Sequence, residues 1–218
     1  ALVRCLELEG VRYISGFAGG GLNVLWPALR TSETIKVFAT RHERLGVEVA
    51  DGYARATGQV GVAMTGSGPG ATNTLTGIAG AFADNIPVLL LMGQIALSNL
   101  GKEYQQEVPS SIFDNLVKWK ATINRVDEIP DIMRRAFTNL RSGSPGPVVI
   151  EMPQDVMAGE ISDAAFNYQP VGPGNKPAAS QADVEKAAAL LVNAKYPVLN
   201  VGGGCLSADA ADEVMELA

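Results

Sequence analysis

The chain has 218 residues, 47% hydrophobic and 18% charged, with 24 glycines, 12 prolines and a formal net charge of −6. This fits a soluble globular protein rich in tight turns, long enough for one full core and part of another. The acidic balance and scattered Lys and Arg argue against a nucleic-acid footprint, and two distant cysteines, Cys5 and Cys205, with one histidine exclude a Cys/His zinc site.

The opening ALVRCLELEG reads as a helix rather than a secretory leader. The longest apolar run, IPVLLLMG, is too short to cross a bilayer, so a cytoplasmic protein is the expectation. The chain begins without Met inside one helical pattern and stops inside another, ADEVMELA. It is therefore expected to be a segment of a longer protein.

In chain order, VRYISGF (11–17) leads into AGGGLNVLWPALR, and IKVFAT (35–40) into RHERLGVEVADGYARATG. VGVAMTG (60–66) leads into SGPGATNTLTGIAGAFAD. PVLLLMG (87–93) precedes a polar segment, then a helical pattern over 128–142 and PVVIEMP (147–153). Apolar strands alternating with helices predict an α/β domain over 1–160: doubly wound, with a mainly parallel sheet and helices on both faces. Ligand sites belong in the loops at the carboxyl ends of such strands. Residues 161–181 gain Pro and Gly and read as a linker. The rest, 182–218, reads as the incomplete start of a second α/β domain, with PVLNVGGG (197–204) as a strand.

GSGPGA (66–71) follows a strand, opens a helix and fits G-x-G-x-x-G/A. A dinucleotide site also needs an acid at the end of the next strand, and Gln94 stands there. A tight turn and a loop approaching a ligand remain open beside that reading. GFAGGG (16–21) suits a phosphate nest but lacks the lysine of a P-loop, and VGGGCLS (201–207) carries less still. Thr40 followed by Glu43 matches a capping box, and the helix dipole favours an acid there. On local pattern alone, a structural Glu43 outweighs a catalytic one, and His42 reads the same way. Asp51 and Arg55 are spaced for an i,i+4 pair.

Together, GFAGGG, RHE, ADGYARATG, GSGPGATN, FADNIPVLLLMGQ and PGPVVIEMPQDV resemble the N-terminal, pyrimidine-binding domain of the thiamine diphosphate enzymes of the acetolactate synthase, pyruvate oxidase and benzoylformate decarboxylase group. The resemblance covers residues 1–160, and the tail from 182 resembles the start of that family's middle domain. It implies that Glu43 hydrogen-bonds N1′ of the cofactor's aminopyrimidine and shares a proton with it, which promotes proton loss from C2 of the thiazolium. It places Gly19 and Gly20 toward the thiazolium and substrate, Pro69, Gly70 and Asn73 around the pyrimidine, and Gln94 facing the active site. Gln106 and Lys118 fall at the substrate or flavin edge. The resemblance further implies a 2-oxo acid substrate, Mg2+ held with the diphosphate by a C-terminal domain, and a homodimer or homotetramer. FAD is left open. Arg44, Ala18 and Gln105 depart from the synthase pattern near the substrate side, leaving decarboxylase, lyase and oxidase chemistry open. A non-catalytic interaction module of the same fold is the remaining alternative.

Overall fold

The computed structural model describes residues 1–17, 19–102, 105–172 and 177–218. Ala18, one of the departures above, and residues 173–176 of the expected linker lie outside the described residues. The chain divides into two compact units, Ala1–Gly174 and Asn175–Ala218.

The first unit carries strands β1 (Tyr13–Gly16), β2 (Lys36–Ala39), β3 (Gly61–Thr65), β4 (Val88–Gln94), β5 (Trp119–Thr122) and β6 (Val148–Pro153). They form one six-stranded sheet in the order β2-β1-β3-β4-β6-β5, and every pairing is parallel. Around it lie helices α1 (Leu2–Leu8), α2 (Trp26–Thr31), α3 (Glu43–Thr57), α4 (Pro69–Thr72), α5 (Leu75–Ala83), α6 (Ile129–Arg141) and α7 (Gln154–Met157).

The central strands β3, β4 and β6 are buried along their whole length. Side chains alternate between the faces of a strand, so each central strand supplies two cores. Leu89, Leu91, Val148 and Ile150 pack with α1, α2 and α6, whereas Leu90, Met92, Ala63 and Val149 pack with α3 and α5. Near-continuous apolar runs thus give a doubly wound α/β fold. The chain moves from β1 outward to β2, then returns to β3 on the other side of β1. That reversal opens a crevice at the carboxyl edge of the sheet, between the turns after β1 and β3.

The sequence reading missed β5. Its four residues, Trp-Lys-Ala-Thr, are all half-buried at the sheet edge, so no apolar run announced it.

Helix α3 buries Gly46, Val47, Ala50 and Ala54, and small residues let it lie low on the sheet. A Cβ on Gly46 would meet Gly16 Cα at 2.8 Å. The Ser15 hydroxyl donates to the Gly46 carbonyl at 2.6 Å. The first turn of α3 is therefore fixed beside the end of β1.

Part of the stretch that reads as a linker is fastened to the first unit. The buried Glu9 carboxylate accepts from the Tyr168 hydroxyl at 2.5 Å and the Val171 N–H at 2.7 Å. Arg141 completes the cluster by pairing with Glu9 and donating to the Val171 carbonyl.

The second unit carries helices α8 (Gln181–Asn193), α9 (Gly203–Ser207) and α10 (Ala211–Leu217). Ser180 caps α8 by accepting the Asp183 N–H at 3.2 Å. The stretch PVLNVGGG forms no strand. A strand needs a neighbour for its N–H and C=O groups, and no other segment of this unit is a strand among its described residues.

Candidate active site

Glycine turns build the crevice from backbone alone. The Ser67 N–H donates to the Gly20 carbonyl at 3.2 Å. A Cβ on Gly66 would lie 3.0 Å from that same carbonyl oxygen, so the turns after β1 and β3 close on each other only without side chains. Gly68 opens α4 at φ 60° and ψ −122°, a conformation that strains any other residue.

Glu43 enters from α3, but not as a capping box predicts. The N-cap is His42, whose Nδ1 accepts the Arg44 N–H at 3.2 Å. The Thr40 hydroxyl donates instead to the His42 carbonyl at 3.0 Å. Glu43 is then the first helical residue rather than the third, and its carboxylate is free of capping work. It turns toward α4, where Asn73 Nδ2 donates to Oε2 at 3.0 Å. The other oxygen, Oε1, accepts no hydrogen bond among the described residues. Arg44 is engaged by Glu48 at 2.6 Å, which leaves the Glu43 carboxylate without that neighbouring cation.

The open oxygen lies beside Gly70, a position without a side chain. A Cβ on Gly70 would stand 3.7 Å from Glu43 Oε1 and 3.0 Å from Thr65 Oγ1. Thr65 ends β3, is fully buried, and its hydroxyl is the one buried side-chain polar atom without a hydrogen-bond partner among the described residues. Two polar atoms with unused capacity therefore converge above Gly70. Pro69, exposed, occupies the first turn of α4, and Asn73 stands at its C-cap. The structure thus brings Gly19 and Gly20 against the Gly66–Ser67 turn, and Glu43, Gly70 and Asn73 into one cluster.

Gln94 is placed differently from an active-site side chain. Its amide is buried, donating to the Val108 carbonyl at 2.9 Å and to Glu151 Oε1 at 2.7 Å. Only its backbone nitrogen meets the glycine turns, 3.1 Å from where a Cβ on Gly21 would lie. Lys118 is not at the crevice at all. Its ammonium donates to the carbonyls of Asn139 and Ser142 at the end of α6, beside the amino ends of β5 and β6, and burial lowers its pKa. Gln106 does come near: its Oε1 lies 3.9 Å from where a Cβ on Gly20 would stand.

Sequence reading missed Thr65 and Glu151. Glu151 carried a visible signal, an acid inside the apolar run VVIEMP. Thr65 carried a weaker one, a hydroxyl closing the apolar strand GVAMT. Asp51 and Arg55 form the expected pair at 2.5 Å, on the exposed side of α3 and away from the crevice. Among the described residues no group of three His, Cys, Asp or Glu is arranged to hold a metal ion, and no helix is long and apolar enough to cross a membrane.

The chain resembles known proteins along its whole length. The family described as "Thiamine pyrophosphate enzyme, N-terminal TPP binding domain" matches residues 1–114. The chain is 39% identical to a probable acetolactate synthase large subunit of Methanocaldococcus jannaschii, covering 100% of this chain and 38% of that protein. It is 38% identical to the acetolactate synthase isozyme 3 large subunit of Escherichia coli K12, over 99% of this chain and 38% of the relative. A glyoxylate carboligase of Escherichia coli O157:H7 is 37% identical over 100% of this chain and 37% of its own length. The chain thus spans well under half the length of these relatives.

Proposed function

Because the chain belongs to the thiamine pyrophosphate enzyme family, whose N-terminal TPP-binding domain matches residues 1–114, we propose that it is the pyrimidine-binding part of a longer enzyme acting on a 2-oxo acid, by decarboxylation, carboligation or both. Glu43 is its catalytic acid. One observation carries this reading: Glu43 has one oxygen anchored by Asn73 and the other open beside Gly70.

The residues fit the cofactor. A flat ring that slides against backbone needs a position without a Cβ, and Gly70 is that position. It also needs an unsatisfied polar atom, and Glu43 Oε1 provides one. Glu43, Pro69, Gly70 and Asn73 would hold the aminopyrimidine, with Gly19 and Gly20 bounding the space toward the thiazolium. Gln94 contributes through its backbone. When bound, thiamine diphosphate supplies the electron sink for the carbanion left by decarboxylation of a 2-oxo acid.

The chain's own part is proton handling and orientation. Asn73 donates to Oε2, which fixes the carboxyl plane and leaves Oε1 as the oxygen that exchanges a proton. The closed glycine turns keep side chains out of the crevice, so a ring docks against rigid backbone.

We assign the diphosphate and its Mg2+ to another domain of the longer protein, and the protein itself to the cytoplasm. A homodimer or homotetramer would use the exposed apolar strip of Leu45, Val49, Tyr13 and Phe38, with half-buried Tyr53 among them. Calorimetric titration of thiamine diphosphate with Mg2+ tests this division. The full-length parent protein is expected to bind it, and the 218-residue chain at least about 100-fold more weakly, the equivalent of about 2.7 kcal/mol. Equal affinity for both would overturn the division, and no binding by the full-length protein would overturn the assignment.

A further inference from the structure

Glu151 lies in the middle of β6 and is 7% exposed, yet no Lys or Arg pairs with it among the described residues. Its charge is met by neutral donors from three separate places. Oε1 accepts the Gln94 amide at the end of β4, 2.7 Å away. Oε2 accepts the Thr122 hydroxyl at the end of β5, also 2.7 Å away, and more loosely the Ser110 N–H at 3.4 Å. A carboxylate only accepts, so it dictates the orientation of every donor around it. Held this way, Gln94 Nε2 also reaches the Val108 carbonyl at 2.9 Å, while Gln94 Oε1 accepts the Ile95 N–H.

The fastened segment, Val108–Ser110, continues directly from the residues that close the crevice. The Gln105 carbonyl lies 2.5 Å from where a Cβ on Gly68 would be, and Gln106 Cα 2.8 Å from it. Gln106 Oε1 faces Gly20. The segment therefore forms a wall across from both glycine turns. It makes no hydrogen bond to Glu43, Gly70 or Asn73 among the described residues.

We propose that Glu151 is a positioning residue, which through Gln94 holds the wall Gln105–Ser110 over the glycine turns and so shapes the part of the crevice beside the acid. This rests on the reading of Glu43 above. Loosening the wall should change how the 2-oxo acid is received while leaving the Glu43–Asn73 pair in place.

The test uses the full-length parent enzyme and three variants. E151Q replaces one of the two accepting oxygens by an NH2 donor, so Gln94, Thr122 and Ser110 can no longer all donate as they do to the carboxylate. Q94M cuts the same path one link later without touching the charge. T122V removes a donor from Glu151 but leaves Gln94 on Val108. E151Q and Q94M are expected to raise KM for the 2-oxo acid about tenfold, with the thiamine diphosphate Kd within about twofold of wild type. T122V is expected to leave KM within about twofold. If E151Q does not fold, Q94M carries the test. An unchanged KM in Q94M, or an equal rise in T122V, overturns the positioning role. If the wild-type enzyme fails to bind thiamine diphosphate, the underlying functional reading fails instead, and calorimetry on wild type separates the two outcomes.

Discussion

Glu43 and Glu151 both reach the carboxyl edge of one parallel sheet, and their carboxylates are treated in opposite ways. Glu151 is buried and its oxygens accept donors from Gln94, Thr122 and Ser110. Glu43 is half-buried, accepts one donor from Asn73, and leaves its second oxygen open beside Gly70. A satisfied buried acid organises the protein around itself. An acid with one oxygen left open keeps capacity for a further donor. Burial and spent hydrogen-bonding capacity together separate the two.

Mutation can break this contrast. E151A leaves the half-buried Thr122 hydroxyl and the buried Ser110 N–H without their acceptor, and should destabilise the chain by about 3 kcal/mol in urea unfolding. A loss below about 1 kcal/mol would mean that Glu151 organises little. On the Glu43 side, G70A should weaken thiamine diphosphate binding to the full-length protein about tenfold, because its Cβ would stand between Thr65 and the open Glu43 oxygen. Unchanged affinity would move the ring elsewhere. T65V should do the reverse to stability: removing an unsatisfied buried hydroxyl should raise it by about 1 kcal/mol. A loss of that size would reveal a partner for Thr65.

The smallest effect concerns the far face of the sheet. Burial pushes the Cys5 thiol up to about 12 from 9.0. The folded thiol thus keeps its proton where the unfolded one loses it. Any stability from this group is present in full below about pH 9 and falls as pH rises toward 12. Iodoacetamide at pH 8 should therefore label Cys205 in the native chain and Cys5 only after unfolding. Labelling of Cys5 in the folded chain would contradict its burial.

The same contrast explains what the sequence could reveal. Strands β1 to β4 and β6 were legible because a parallel sheet covered on both faces demands uninterrupted apolar runs. β5 was not, because an edge strand of four half-buried residues needs no such run. Glu43 stood out by its position between two glycine-rich turns. Its local geometry did not, since the sequence pattern pointed to Thr40 as the cap, whereas the helix starts two residues later with His42 as its N-cap. The acid in VVIEMP was visible, but its partners lie 57 and 29 residues away in sequence, and no local pattern connects them. PVLNVGGG misled for the converse reason, having the composition of a strand without a neighbour to pair with.

The open oxygen of Glu43 is the centre of this reading, and E43Q tests it with little change in shape. In the full-length parent enzyme, at saturating thiamine diphosphate and Mg2+, E43Q should lower kcat for the 2-oxo acid at least about 100-fold, because an amide cannot exchange the proton. Its unfolding free energy should stay within about 0.5 kcal/mol of wild type. A variant that keeps wild-type turnover would contradict the catalytic role, and one that loses activity only by unfolding would return Glu43 to the structural side of the comparison.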